Sequence, residues 1–283
     1  MDDYYILCPT RPEQPTLISH LIGIAIRAIT ARSVQTLLVN YKVQPPLLKS
    51  FADRIGAFEA GRVPASTALI NELRRSGKMM SEGQVKEFAT MAKSPPMSDE
   101  NKTRLAGILR KQFTAAGVEP DSLEERINRV IGADSLEKDY EKFIALLESQ
   151  MALPVPERLA RRVEFDEQFQ RALKASSPLV SMAVPNFIEA DIRDFVSIAY
   201  ERLCATAALL LANEGAGNME ALDQAINAFP DPFSGKPLLL DREAARPFQL
   251  RSVGPDLVPN DGSLIYDPTN GTVSSGDLFF GKK

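Results

Sequence analysis

The sequence predicts a mainly α-helical protein that ends in a smaller α+β module, and three observations support this fold class. Apolar residues recur every three or four positions as far as the segment MEALDQAINAF. Beyond it the pattern changes to short apolar runs separated by turns rich in Gly and Pro. The composition also changes at SSPLVSMAVPN, residues 176–186. We therefore expect an all-helical domain over residues 1–175 and an α+β module over residues 176–283.

Proline and glycine divide the N-terminal domain into a succession of helices. Thr16, which follows Pro15, is a suitable N-cap for the first helix, and Pro45-Pro46 stops it. Gly117 and Gly132 are suitable residues to close later helices. The expected helices cover 16–39, 47–60, 65–75, part of GQVKEFATMA, 98–117, 121–132, 134–151 and 157–175.

The second module is expected to begin with the most regular helix of the chain, NFIEADIRDFVSIAYERLCATAALLLANEG. Its apolar residues follow helical spacing along one stripe, from Ile188 through Ile192 to Leu203. A shorter helix, MEALDQAINAF, follows it, and PLLLD and PFQLRSV are then expected as strands. Strands this short do not form a stable sheet alone, so we expect a small antiparallel sheet packed on the long helix.

Charge and hydropathy exclude some classes of function. The net charge of −4 offers no basic surface for nucleic acid. The apolar run from Leu17 to Ala31 is too short for a membrane span of about 20 residues, and it contains His20 and Arg27. We expect a buried helix there, with Arg27 and Arg32 on its exposed edge, and no transmembrane span in this chain.

Residues suited to catalysis are few. His20 is the only histidine, which excludes sites with two histidine ligands, and we expect it on a helix near a core or an interface. Cys204 lies in a helical apolar pattern and is expected to be a buried free thiol. The carboxylate pairs Glu124-Glu125 and Asp139-Glu141 lie on expected helices, where such pairs are usually solvated surface charges.

Several segments in the C-terminal portion, residues 181–280, occur in the order found in one known family. They are MAVPNF, RLCATAALLLANEG, DPFSGKPLLL, SVGPDLVPNDG and SSGDLFF. Together they resemble the pseudopilins of type II secretion systems, whose long helix carries a small C-terminal sheet. About 180 residues of helical sequence precede the matching part, which departs from the family pattern and points to a pseudopilin-like module attached to a helical domain.

This resemblance implies a structural calcium ion in the C-terminal loops, bound by aspartate side chains and backbone carbonyls. Asp256 matches the aspartate of the family's loop, and the family's acidic pair corresponds either to Asn260-Asp261 or to Asp277. The expected metal ligands are therefore Asp256, Asp261 and Asp277. The chain departs from the family at Leu257, which stands where a glycine is usual. The alternative is that the aspartates cap turns without a metal.

The resemblance also implies a non-enzymatic cell-envelope protein, periplasmic or otherwise extracytoplasmic, that binds a protein partner or a second copy of itself. Anchoring through a segment outside this chain is compatible with that reading. Two alternatives stay open at this point. One is an enzyme that uses carboxylates, since such sites leave little trace in a sequence. The other is a helical domain that binds a lipid or a peptide in a pocket built around Leu17 to Val39.

Overall fold

A computed structural model describes residues 17–82, 99–115, 136–176, 187–213, 219–241, 249–261, 263–267 and 275–280. Within these ranges the chain is mainly helical with a small antiparallel sheet, which confirms the predicted fold class. The helices are α1 Leu17–Asn40, α2 Pro45–Ala60, α3 Ala65–Glu82, α4 Asp99–Ala115, α5 Leu136–Met151, α6 Val155–Ala160, α7 Arg162–Ala175, α8 Phe187–Ala212 and α9 Met219–Ala228. The strands are β1 Leu239–Asp241, β2 Gln249–Ser252 and β3 Leu278–Phe280.

Most helices follow the sequence pattern, and two differ from it. α3 continues to Glu82, beyond the expected end at Arg75. The single helix expected over 157–175 is divided into α6 and α7, with Arg161 as the C-cap residue between them. The helices expected in GQVKEFATMA and over 121–132 lie outside the described residues.

The described residues form two compact units, which differ from the two consecutive domains expected at residue 175. The first unit contains the described residues within 17–68, 153–162 and from Phe187 onward, and the second contains the described residues within 69–152 and 163–176. The reason lies in α8, which is buried on nearly all sides from Leu203 to Ala208. A helix that is apolar all round needs cover from several directions. In the first unit α1, α2 and the sheet all pack on α8.

The sheet of the first unit has the strand order β1-β2-β3, and both pairs are antiparallel. Leu250 of β2 lies opposite Leu240 on one side and Phe280 on the other. Leu250, Leu278 and Phe280 are buried in the same core as the α8 residues Leu203 and Ala207. The expectation of a small sheet packed on the long helix is therefore confirmed.

Asp231, in the turn DPFSG, holds this turn to the end of β2. Its buried carboxylate accepts hydrogen bonds from the N–H of Phe233 at 3.0 Å, the N–H of Val253 at 3.0 Å and the hydroxyl of Ser252 at 2.8 Å. Gly254 follows with a φ of 73°, and an added Cβ there would lie 2.0 Å from the carbonyl oxygen of Gly276. The two loop segments thus approach each other closely enough to require glycine.

The second unit has its own aromatic core. The rings of Phe143 in α5 and Phe169 in α7 meet edge to face, with centroids 5.3 Å apart. Phe165 lies one turn before Phe169, at a centroid distance of 6.1 Å. Such edge-to-face pairs add a modest stabilisation beyond the apolar area that they bury. Leu73 and Leu147 are also buried in this unit.

Two of the described helices are long and apolar enough to cross a membrane by length and composition alone. They are the segments Ile18–Asn40 and Glu189–Ala212. The first is longer than the run from Leu17 to Ala31 on which the sequence-based exclusion of a span rested. The second is the buried core helix α8, and core helices satisfy the same criterion.

Candidate functional site

The most unusual feature of the first unit is a set of charged side chains inside the helical core. Asp194 and Glu201 lie seven residues apart on α8, which places them on one face about two turns apart. They are only 3% and 2% exposed. Buried carboxylates require hydrogen bonds and opposite charges, because removing an ion from water is costly.

α1 supplies two of the partners, Arg27 and His20. The guanidinium of Arg27 lies 3.0 Å from Asp194 Oδ1 and 3.5 Å from Glu201 Oε1, and its Nε donates a hydrogen bond to Ser197 Oγ at 3.2 Å. His20 lies two turns before Arg27 on the same face, with its Nε2 3.4 Å from Asp194 Oδ1. The spacing of the basic pair on α1 therefore matches the spacing of the acidic pair on α8.

The turn between α2 and α3 supplies the second guanidinium. Arg62 donates to Asp194 Oδ1 at 2.8 Å and to Glu201 Oε2 at 2.9 Å. The backbone N–H of Ala65, the first residue of α3, points to Asp194 Oδ2 at 3.4 Å. We call His20, Arg27, Arg62, Asp194 and Glu201 the buried ionic cluster. Its two guanidinium groups and two carboxylates balance in charge.

The surroundings shift the pKa values of Asp194 and Glu201 in opposite directions. Burial by itself raises the pKa of Asp194, but the nearby imidazole of His20 and the charges of Arg62 and Arg27 outweigh it and lower the pKa to about 2. For Glu201 burial dominates and raises the pKa, against the opposing charges of Arg62 and Arg27. Asp194 is thus the fixed negative charge of the cluster.

A second ion pair continues this polar face of α8. Asp191 lies one turn before Asp194, and its carboxylate is 3.5 Å from Arg158 of α6. Burial raises the pKa of Asp191 to about 6, and the charge of Asp194 also raises it, whereas the charges of Arg158 and His20 lower it. The guanidinium of Arg158 also stacks over the Phe195 ring at 5.1 Å.

These contacts connect α1, the turn between α2 and α3, α6 and α8, and their carboxylates accept from donors within the protein. A partly buried pair nearby connects α8 to α2, where Arg202 donates to Glu59 at distances of 2.8 Å to 3.1 Å. This arrangement favours fixed helix packing, because a carboxylate that accepts hydrogen bonds from two guanidinium groups is a weak base.

The expectation that Arg27 lies on an exposed edge is wrong, since its side chain is 1% exposed. Arg32, five residues further along α1, is exposed as expected. The expectation for His20, a helix residue near a core, is confirmed. The signal that could have revealed the cluster is the matched spacing of seven, between His20 and Arg27 and between Asp194 and Glu201.

The three expected metal ligands do lie near one another, in the loops that follow β2 and precede β3. The N–H of Gly276 donates to Asp256 Oδ2 at 2.8 Å, and the N–H of Asn260 lies 3.1 Å from both oxygens of Asp277. Asp277 is fully buried, and Asp261 is largely exposed. Shared partners, Asn260 and Arg251, therefore connect the three residues.

The carboxylate oxygens of these expected metal ligands accept hydrogen bonds from groups of the protein itself. Asp256 accepts hydrogen bonds from the N–H of Val258, the N–H of Gly276 and the side-chain amide of Asn260. Calcium needs six to eight oxygens at about 2.3–2.6 Å around one centre. No group of three or more His, Cys, Asp or Glu residues is placed to hold a metal within the described ranges. This arrangement does not fit the ion, and calcium binding by Asp256, Asp261 and Asp277 stays a prediction.

The backbone at Leu257 adopts a conformation that favours glycine, the residue usual at this position in the family that the loop resembles. Its φ is 62°, in the left-handed region where a branched side chain is unfavourable. The side chain packs against the core of the first unit. The loop therefore keeps a glycine-like backbone conformation with a leucine in place.

The remaining candidate residues are the cysteines and the two carboxylate pairs. Cys204 is a buried free thiol, as expected, and burial raises its pKa. Asp139 is buried, with Lys142 of the same helix 3.7 Å away, and Glu141 is exposed. Glu124-Glu125 lies outside the described residues, as does Cys8.

Comparison with known proteins adds no relative to this picture. No protein-family model matches the chain, no curated protein matches its sequence, and no solved structure matches its fold.

Proposed function

We propose that this protein is a non-enzymatic structural or protein-interaction protein, and that the outer face of α1 is its contact surface. The observation that carries the proposal is an exposed apolar stripe on a helix whose opposite face is fixed in the core. The stripe consists of Ile18, Leu21, Ile22, Ala25 and Ile29. Ile18, Ile22 and Ile29 are 71%, 56% and 69% exposed.

The spacing makes this a continuous surface. Positions 18, 22, 25 and 29 follow the i, i+4, i+7, i+11 rule, so that their side chains form one row along α1. Burying one isoleucine side chain contributes about 1.5–3 kcal/mol. Single exposed apolar residues are ordinary, but a contiguous row of them is typical of an interaction site.

The opposite face of α1 explains how such a helix is held. His20 and Arg27 bind Asp194 inside the core, and Ala31 and Leu38 pack in the apolar core of the first unit. The buried ionic cluster thus fixes α1 on α8 and presents the stripe outward. This division of roles favours a protein contact, because a rigid apolar face binds with little loss of conformational entropy.

A protein partner or a second copy is favoured over a membrane span. A spanning α1 would have to remove His20 and Arg27 from their partners on α8. α8 itself carries an ion pair of the partly exposed Glu189 with the exposed Arg193, and these charges would be costly in lipid. Extracytoplasmic location, a cell-envelope role and a link to secretion rest on the pseudopilin resemblance alone. The long helix with its small sheet is the architecture that this resemblance implies.

One specific observation favours the alternative of a carboxylate-dependent enzyme. Asp191 has a pKa raised to about 6, next to His20 and Asp194, and such values are suited to a general acid or base. The carboxylate of Asp191 is paired with Arg158, which supports a structural role instead. Substrate turnover that is lost in Asp191→Asn at full fold stability would establish the enzyme.

The proposal is tested by a photo-crosslinking amino acid placed at position 22, with position 163 as the matched control. Val163 is 66% exposed and lies on α7 in the second unit. We expect protein adducts from position 22, in cell extract or between two copies of the purified chain, and only background from position 163. Sedimentation velocity of the purified chain separates self-association from a different partner, and Ile22→Glu should abolish the contact in either case.

Three results contradict the proposal. The two positions could give equal crosslinking, Ile22→Glu could leave every adduct unchanged, or position 22 could label only lipid in the presence of vesicles. The last result would make the stripe a membrane-binding surface, since an apolar helix face can also lie in the lipid interface.

A further inference from the structure

We infer that the guanidinium of Arg251 is the built-in cation of the C-terminal loops, in the place where the resemblance implies calcium. Arg251 lies in the middle of the sheet, on β2, opposite Phe279 of β3. Its Nη1 is 3.3 Å from Asp277 Oδ2, and its Nη2 is 2.5 Å from Asp261 Oδ1. One side chain therefore connects two of the three expected metal ligands.

The burial of Asp277 explains why a cation is needed at this point. Its carboxylate is fully buried, and an ion removed from water requires an opposite charge and hydrogen bonds. The backbone of Asn260 supplies a hydrogen bond, and Arg251 supplies the positive charge. The side chain of Arg251 is itself only 17% exposed, so that the attraction is less weakened by solvent than at a surface pair.

The third expected ligand, Asp256, is connected to the same loops by neutral donors. Its Oδ2 accepts the N–H of Gly276 and the side-chain amide of Asn260, at 2.8 Å and 3.2 Å. Gly276 immediately precedes Asp277, and Asn260 immediately precedes Asp261. The segments that a calcium ion would join are thus joined by Arg251 and backbone donors. A divalent ion among these carboxylates would lie beside a fixed positive charge, which opposes its binding.

This inference is independent of the proposed contact surface on α1. Arg251 holds the loop segments of Asp261 and Asp277 together, and two consequences of this role can be measured. The wild-type protein should unfold at the same temperature with EDTA and with millimolar Ca²⁺. Replacing Arg251 should lower the unfolding temperature, and it should leave carboxylates that a cation from solution can then compensate.

The experiment compares thermal unfolding of the wild type, Arg251→Gln, Arg251→Lys and the control Arg193→Gln. Arg193 is a surface arginine that also pairs with a carboxylate, Glu189. We expect no calcium response in the wild type and the control. Arg251→Gln should unfold at a lower temperature that rises with Ca²⁺, because a ligand bound only by the folded state stabilises it by mass action. Arg251→Lys, which keeps the charge, should lie between the two.

Each other outcome overturns the inference. It fails if EDTA lowers the unfolding temperature of the wild type and if Asp256→Asn removes that effect, which would establish a metal site. It also fails if Arg251→Gln unfolds at the wild-type temperature. If Arg251→Gln does not fold, Arg251→Lys decides the matter: it must fold at a reduced unfolding temperature, and terbium luminescence of the wild type must show no binding at this loop.

Discussion

Replacing Arg27 by methionine tests the buried ionic cluster most directly. Methionine keeps an unbranched chain of similar length and removes the guanidinium, which lies 3.0 Å from Asp194 and donates to Ser197 at 3.2 Å. Removing one partner of a buried ion pair costs about 3–5 kcal/mol, because the other charge stays buried. Arg62 still contacts both carboxylates, so we expect the lower end of the range, about 3 kcal/mol.

The matched control is Arg32→Met on the same helix. Arg32 is exposed, and surface substitutions of this kind usually change the free energy of unfolding by no more than about 0.5 kcal/mol. The chain contains no tryptophan, so urea unfolding should be followed by far-UV circular dichroism. A lower midpoint at an unchanged slope reports a loss of stability without a change in the surface exposed on unfolding.

The reasoning would be refuted if Arg27→Met and Arg32→Met had the same midpoint. That result would mean that the guanidinium of Arg27 contributes no more in the core than at the surface. A double variant, Arg27→Met with Asp194→Asn, provides a second test. It should lose less stability than the sum of the two single variants, because residues that share a contact are energetically coupled.

Two further predictions concern Asp191 and the glycines of the C-terminal turns. The pKa of Asp191 is raised from 3.8 to about 6, so the folded state loses stability as the pH rises from about 4 to about 6. In urea titrations, Asp191→Asn should therefore be more stable than the wild type by up to about 3 kcal/mol above pH 6. At about pH 4 the two proteins should differ little. A gain that does not change with pH would contradict this. Gly254→Ala should prevent folding or destabilise the protein severely, since the new Cβ would lie 2.0 Å from the Gly276 oxygen. Gly235 has a similar positive φ, but an added Cβ there has nothing within 4 Å. Gly235→Ala should therefore lower the free energy of unfolding by only about 1–2 kcal/mol. Equal thermal stability of the two glycine variants would show that φ alone sets the effect.

Local patterns made several elements predictable. Several boundaries carry a signal in a few neighbouring residues, such as Pro45-Pro46 at the start of α2 or the change to short apolar runs before β1. The approach of Asp256 and Asp277 in the C-terminal loops was expected because the resemblance placed these residues in one region. These inferences needed only spacing and turn chemistry.

The buried ionic cluster was not predictable in the same way. Arg27 and Asp194 are 167 residues apart, and the local sequence around each residue does not indicate that the two form a pair. A charged residue on an apolar helix is usually found at the exposed edge, because its long side chain can reach water. Only the packing of α1 on α8 turns Arg27 inward and gives it two carboxylates.

Sequence patterns alone predict that the chain is mainly helical and that it ends in a small sheet packed on a long helix, as the structure confirms. Which helices share a core, and which cation meets each carboxylate, follows only from how the chain folds. Arg251 illustrates the difference, since it contacts Asp261 and Asp277 only after β2 and β3 have paired. Helix and strand periods are properties of neighbouring residues, whereas the compensation of a buried charge depends on side chains that folding brings together from distant positions.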